Sequence, residues 1–225
     1  KKMPRNDGSG PVVGLIGLGN MGGPMAAHLK GVAGELRLFD ARAEVTARVA
    51  EETGGRATSS LAELGRGADI VITMLPNAEV VRAVVLGEGA EALADALAPG
   101  AIVVDMSSSF PPATKELGAA LKARGIALLD APVSGGVRKA IAGTLAIMLG
   151  GDDAAALDRA EPVLASMGNY VMNADALVAA TDDVVAANER DLARGREQGM
   201  AEGLQDRLRL DATRVAAVAD AVRDV

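Results

Sequence analysis

Three glycines at a fixed spacing mark the part of the sequence best suited to chemistry. They are Gly17, Gly19 and Gly22 in the segment GLGNMG. Gly17 lets the chain turn tightly, Gly19 has no Cβ to block a pyrophosphate, and Gly22 lets a helix pack closely on a strand. The free N–H groups at the start of that helix, near Asn20 and Met21, attract phosphate. The spacing therefore predicts a dinucleotide site.

The residues on either side supply the elements that such a site needs. The apolar run 12–16 predicts a strand before the turn, and residues 25–29 predict a helix after it. A second strand, 36–39, ends in Asp40, about 20 residues beyond the glycines. A carboxylate here accepts hydrogen bonds from both ribose hydroxyls and repels a 2′-phosphate, which favours NAD. Arg42 keeps NADP open, because a guanidinium two residues further on can reach a phosphate.

Strand and helix signals alternate along the rest of the front part. Further strands are predicted over residues 68–75, 101–104 and 126–129, and helices over 43–52, from about 60, after 77 and over 112–124. This alternation predicts an α/β fold with a Rossmann-type, doubly wound, mostly parallel sheet. Ligands of such sheets bind at the carboxyl ends of the strands.

Composition restricts the class of protein. A net charge of −7 argues against a nucleic-acid partner, and the lack of cysteine excludes disulfides and thiolate chemistry. No apolar run reaches the roughly 20 residues of a membrane helix, and no signal peptide is visible, so we predict a cytoplasmic protein without membrane or metal sites. Residues 1–10 are predicted to be a disordered start, 11–168 the NAD(P)-binding domain, and 169–225 a short all-helical segment.

Four motifs in order carry a resemblance to a known family. They are the glycine turn, the Met-Leu-Pro turn at 74–76, Asp-x-Ser-Ser from Asp105, and Asp-Ala-Pro-Val-Ser-Gly-Gly at 130–136 followed by Gly143-Thr144-Leu145. Residues 12–168 closely resemble the β-hydroxyacid dehydrogenases, which include 3-hydroxyisobutyrate dehydrogenases. The resemblance implies NAD(P)-dependent oxidation of a small β-hydroxy acid, or reduction of its semialdehyde.

The resemblance also implies which residues form the site. The cofactor site would comprise Gly17, Leu18, Gly19, Asn20, Met21, Gly22, Asp40, Met74, Leu75, Pro76, Val80 and Ser108. The substrate carboxylate would be held by Ser134, Gly135 and Gly136, with Ser134 as the candidate catalytic residue. A hydroxyl and the fixed N–H dipoles of a Ser-Gly-Gly turn suit a carboxylate or a developing alkoxide. The alternative is a plain turn capped by Ser134.

One departure from the family concerns proton transfer. The family's general acid/base is a lysine soon after the equivalent of Met167, and no lysine follows Lys139 here. Its loss would leave cofactor binding intact and lower turnover by about 10² to 10⁴. His28, Lys139 and Tyr170 are possible substitutes, but His28 is expected in a packing or surface role and Lys139 in a solvated one. Nothing in the sequence places the Tyr170 phenol over the nicotinamide.

The end of the chain resembles a different protein. Residues 174–225, with NERDLARGREQGM and LQDRLRLD, resemble the N-terminal helical region of γ-glutamyl phosphate reductase. The cysteine nucleophile of that enzyme has no counterpart, so its reaction is not carried over. We expect a composite chain, natural or engineered, whose amphipathic helices cover the front domain or pair in a homodimer; the alternative is a monomer. Two functions stay open: an oxidoreductase, or an NAD(P)-binding module without turnover.

Overall fold

A six-stranded parallel sheet forms the centre of the part of the chain that the structure describes. The computed structural model describes residues 10–87, 91–109 and 111–173. The strands are β1 (Val12–Ile16), β2 (Glu35–Phe39), β3 (Arg56–Ala57), β4 (Ile70–Thr73), β5 (Ile102–Asp105) and β6 (Ala127–Asp130), in the order β3-β2-β1-β4-β5-β6. Every adjacent pair is parallel. The carboxyl ends of these strands therefore lie along one edge of the sheet.

Helices cover both faces of this sheet. They are α1 (Gly22–Leu29), α2 (Ala43–Thr53), α3 (Leu61–Gly65), α4 (Ala78–Leu86), α5 (Leu93–Ala96), α6 (Pro111–Lys122), α7 (Gly136–Ala142) and α8 (Ala154–Leu164). Helices α1, α2, α7 and α8 contribute to one apolar cluster, and α3 to α6 contribute to the other. Strand residues on both faces are buried, as expected for a parallel sheet between two helical layers. The predicted Rossmann-type α/β fold is confirmed.

Local sequence signals explain where several helices begin and end. Ser60 caps α3 by accepting the N–H of Glu63, and Asn77 caps α4 by accepting the N–H of Val80. Helix α2 ends at Gly54, whose φ of 69° is left-handed, a conformation that costs glycine little. These capping signals lie within a few residues of the helix ends, so the positions of these helices can be predicted closely from the sequence.

A second, smaller sheet follows the parallel one. It contains β7 (Val133–Ser134), β8 (Leu145–Leu149) and β9 (Gly168–Asn173), in that order, and β7 and β8 are antiparallel. Residues 169–173 therefore belong to strand β9, whereas the sequence predicts that a helical segment begins at residue 169. Side-chain pairing across strands is nonlocal, which is why the sequence pattern did not reveal this strand. The remaining predicted helices, in residues 174–225, lie outside the described residues.

Other elements also differ from prediction, and β7, α7, β8 and α8, which follow Asp130, were not predicted from the sequence. Strand β4 begins at Ile70 rather than residue 68, and neither the two-residue β3 nor the four-residue α5 was predicted. Helix α4 contains four valines, of which Val81 and Val85 are buried and Val80 is exposed. Across the described ranges, none of the helices combines the length and apolar character needed to cross a membrane.

Candidate functional site

The glycine turn between β1 and α1 has the shape required for a dinucleotide. Gly17 has a φ of 92°, and a Cβ there would clash with the carbonyl oxygen of Met74. A Cβ on Gly22 would clash with the carbonyl oxygen of Gly17, so the turn and the helix pack closely. In contrast, a Cβ on Gly19 would have no described atom within 4 Å. The first and third glycines are thus needed for the turn itself, while the second borders open space that a pyrophosphate can approach.

The start of α1 is suited to an anion. Its N-cap residue, Met21, makes no side-chain capping bond, and the first turn of this helix contains no acidic residue. Helices α3 and α4 differ, because Ser60 and Asn77 cap them. The N–H groups at the first turn of α1, together with the positive end of the helix dipole, are therefore directed at whatever lies above the glycine turn. NAD(P) carries a pyrophosphate that matches this requirement.

Asp40 is joined to the glycine turn by hydrogen bonds. Its Oδ2 accepts the backbone N–H of Leu18 at 2.9 Å, and its Oδ1 accepts the backbone N–H of Arg42 at 3.0 Å. Partial burial acts to raise the pKa of this carboxyl, but the two backbone bonds and the Arg42 guanidinium outweigh it, so the pKa is lowered. Asp40 is therefore ionised at neutral pH and has lone pairs left for ribose hydroxyls.

The other residues predicted to form the cofactor site differ in how exposed they are. Asn20, Pro76, Val80 and Ser108 are exposed, Met21, Met74 and Leu75 are half-buried, and Leu18 is 1% exposed. The Leu18 side chain packs in the core, and its N–H already binds Asp40, so only its remaining backbone is accessible to a ligand. These residues occur at the ends of β1, β4 and β5 and in the first turn of α4, along the sheet edge that the sequence predicted.

A buried hydrogen-bond network fixes the loop that carries Ser108. Asp105, 1% exposed at the end of β5, accepts bonds from the Thr73 hydroxyl at 2.8 Å, the Ser107 N–H at 3.0 Å and the Ser109 hydroxyl. The Ser107 hydroxyl in turn accepts the N–H of Leu75 at 2.9 Å. The ends of β4 and β5 are thereby tied together, while Ser108 has no hydrogen-bond partner within the described ranges. The sequence motifs did not predict this supporting network, although an aspartate at the end of a strand was a visible signal.

A second carboxylate lies beside this network. Asp130, at the end of β6, is the register partner of Asp105. Burial, followed by the charge of Asp105, raises the pKa of Asp130 to about 6. Whereas Asp105 accepts three hydrogen bonds, no described donor binds the Asp130 carboxylate. This carboxyl therefore titrates close to neutral pH.

The Ser-Gly-Gly turn follows β6 by way of β7. Ser134 pairs with Ala146 of β8, and its side chain is exposed. Gly135 and Gly136 have φ values of 129° and 63°, so both need glycine for their backbone conformation. A Cβ on Gly135 would clash with the Lys139 side chain, but a Cβ on Gly136 would meet open space. The turn is therefore accessible to a ligand, and its conformation depends on the two glycines.

The three possible substitutes for the family lysine lie in different places. His28 is in the last turn of α1, where its Nε2 is 3.0 Å from the carbonyl oxygens of both Ala140 and Ile141. Lys139 is exposed on α7 with its stem against Gly135. Tyr170 is in β9, and its side chain lies outside the described part. His28 thus has packing partners, as predicted.

The parallel sheet, the glycine turn and Asp40 together define a dinucleotide-binding Rossmann domain. Residues 12–177 match the family model described as the NAD binding domain of 6-phosphogluconate dehydrogenase, and the chain belongs to this family. NAD(P) is therefore the cofactor of the domain. The predicted resemblance to the β-hydroxyacid dehydrogenases is confirmed for this front part.

Named relatives agree with that family. The chain is 38% identical over 162 residues to 3-sulfolactaldehyde reductase of Escherichia coli, covering 72% of this chain and 53% of the relative. It is 40% identical over 163 residues to the NAD-dependent L-serine dehydrogenase of Pseudomonas aeruginosa, again covering 72% and 53%. The chain therefore spans about half the length of these curated relatives.

A solved structure shows the same similarity in three dimensions. Mycobacterium tuberculosis 3-hydroxyisobutyrate dehydrogenase with L-serine is 32% identical, with a TM-score of 0.67, over 86% of this chain and 67% of that one. The resemblance of 174–225 to γ-glutamyl phosphate reductase is not supported by these comparisons and concerns residues that the structure does not describe.

Proposed function

We propose that the protein is an NAD(P)-dependent oxidoreductase that interconverts a small β-hydroxy acid and its semialdehyde. The observation that carries this proposal is the placement of two motifs along one sheet. The glycine turn and Asp40 follow β1 and β2, and the segment that leads to Ser134 follows β6. In a parallel sheet, ligands bind outside the carboxyl ends of the strands, so a cofactor and a substrate can meet there. The names of the relatives support the same reaction class.

The preferred cofactor in this proposal is NAD. Asp40 is ionised, its side chain is largely buried, and it is fixed by the Leu18 N–H, so it would face a ribose as a rigid acceptor. A 2′-phosphate at the same place would be repelled by this charge. Arg42 is mostly exposed, and its Nε lies 3.4 Å from Asp40 Oδ1, so it partly neutralises the carboxylate and keeps NADP as the second choice.

The substrate would be held by the Ser-Gly-Gly turn. The Ser134 hydroxyl and the N–H groups of Gly135 and Gly136 would bind its carboxylate, because these dipoles are already oriented by the backbone. When bound, NAD(P) supplies the acceptor or donor of the hydride at the carbinol carbon. The substrate hydroxyl must also lose a proton, and residues 140–225 contain no lysine to take it. We therefore expect turnover well below that of an enzyme with a positioned base.

A second candidate function follows from that missing lysine. The chain would be a non-catalytic NAD(P)-binding module of composite origin, with the predicted helices of residues 174–225 used for assembly. We also propose a cytoplasmic homodimer in either case, on the amphipathic sequence pattern of residues 174–225, whose apolar positions would pair between two chains.

Turnover and binding have to be measured side by side to separate the two functions. We would follow NADH formation from NAD with 3-hydroxyisobutyrate, L-serine and related acids, and titrate NADH by its fluorescence. Ser134→Ala is the test variant, and Ser166→Ala is the control, because the Ser166 hydroxyl donates to Val163 at the end of α8, far along the chain from both motifs. Turnover lost only in Ser134→Ala supports the oxidoreductase. NADH binding without turnover in the unaltered protein supports the binding module, and no NADH binding would contradict both.

A further inference from the structure

The helix that carries the proposed substrate turn has few attachments. Helix α7 begins at Gly136 and spans seven residues. Helices of this length are unstable alone, so tertiary contacts must hold it. On the buried side of α7 lies Ala140, which is fully buried, whereas the side chains of Val137 and Ile141 are 41% and 63% exposed. The position of α7 therefore depends on what contacts its inner side.

Strand β8 and the apolar cluster around Ala140 supply part of that contact, and His28 supplies another part from α1. Its Nε2 lies 3.0 Å from the carbonyl oxygens of Ala140 and of Ile141. Both partners are acceptors only, so Nε2 carries the hydrogen and donates to them. Within the described ranges, His28 makes the only side-chain hydrogen bond between α1 and α7.

The residue that follows α7, Gly143, leaves room for the His28 ring because it has no side chain. Gly143 ends the helix with a φ of 65°, and a Cβ there would lie 2.8 Å from Cε1 and 2.9 Å from Nδ1 of His28. A larger residue at 143 would therefore both strain the backbone and push the imidazole away from the two carbonyl groups. The family motif Gly143-Thr144 thus gains a physical explanation at its first residue.

We propose that His28 is a positioning residue that fixes the Ser134–Gly136 turn relative to the glycine turn. Helix α1 begins directly after the glycine turn, and α7 begins at the last residue of the Ser-Gly-Gly turn. One hydrogen-bonding ring joins the last turns of the two helices, and so couples the two ligand-binding turns. The substrate part of this inference rests on the proposed function, whereas the coupling of the helices does not.

The test compares two variants of His28 in the whole 225-residue chain. His28→Gln keeps a side-chain N–H donor, whereas His28→Leu replaces the ring by an apolar side chain without a donor. Backbone amide hydrogen exchange is measured for residues 134–142 and for residues 12–27. Losing one hydrogen bond corresponds to about a tenfold change, so exchange in 134–142 should rise about tenfold in His28→Leu and stay near the original rate in His28→Gln. Exchange in 12–27 should not change.

Ligand titrations give the second readout. NADH affinity should stay within about twofold in both variants, while L-serine should bind the NADH complex about tenfold more weakly in His28→Leu only. Equal exchange in all three proteins, or equal increases in both variants, would overturn the positioning role. If the unaltered protein binds NADH but no L-serine or other hydroxy acid, the proposed substrate is wrong, and hydrogen exchange alone decides the role of His28.

Discussion

Replacing Asp130 by asparagine should stabilise the protein in a pH-dependent way. Asp130 faces Asp105 across adjacent strand ends, and burial and that neighbouring charge raise its pKa from 3.8 to about 6. Between these two pH values the folded state binds more protons at this site than the unfolded chain does. The contribution of Asp130 to the free energy of unfolding is therefore greatest below pH 3.8, falls as the pH rises to about 6, and is constant above that.

The size of the effect follows from the same pKa. A rise from 3.8 to about 6 corresponds to about 3 kcal/mol of destabilisation at pH 8. Because the carboxyl of Asp130 keeps some contact with water, we expect Asp130→Asn to recover about 1 to 2 kcal/mol. In a chain of this size, that gain raises Tm by about 3 to 6 °C. At pH 4.5, where the folded carboxyl is mostly protonated, the gain should shrink to about a third.

Thermal unfolding without cofactor, at pH 8 and pH 4.5, tests this reasoning. Asp158→Asn is the control, because Asp158 is an exposed residue of α8 and should give no gain at either pH. A loss of stability in Asp130→Asn at pH 8, or an equal gain at both pH values, would refute the assigned charge repulsion and burial.

Three further predictions follow from the fold and the cofactor site. Gly19→Ala should leave Tm within about 2 °C and weaken NADH binding at least tenfold, because the added methyl meets open space in the protein and only a bound pyrophosphate would collide with it. Gly22→Ala should instead lower Tm, and equal losses of Tm in the two variants would contradict this prediction. Asp40→Asn should weaken NADH about tenfold and NADPH less, and fluorescence titrations showing the same loss for both would count against the ribose role. Ile72→Ala, fully buried in β4, should cost about 2 to 5 kcal/mol in urea unfolding, whereas a loss below 1 kcal/mol would mean that the core closes around the cavity.

Much of the cofactor site was predictable because its signals are local. The glycine spacing, the preceding apolar run and Asp40 all act within about 30 residues, and the structure gives β1 the predicted bounds of 12–16. Caps such as Ser60 and Asn77 bond to N–H groups three residues away. Interactions of such short range are encoded in adjacent residue types, so a sequence pattern is enough to find them.

The features that were missed connect distant parts of the chain. His28 bonds to residues 112 and 113 positions away, Thr73 bonds to Asp105 across 32 positions, and β9 adds to a sheet begun by β7. Val80 belongs to an apolar pattern and is nevertheless exposed, because α4 turns Val81 and Val85 toward the sheet.

The sequence by itself determined the Rossmann-type fold, the nucleotide turn and the family. The order of apolar and polar residues indicates where the strands and helices lie, and the spacing of the three glycines fits few structures other than a dinucleotide-binding turn. The tertiary structure decided which side chains meet at the ends of the strands. It buried Asp130 beside Asp105, and burial together with that neighbouring charge raises the pKa of Asp130. It also brought His28 to α7. Such contacts depend on sheet register and helix packing, and these are fixed only when the whole core is assembled.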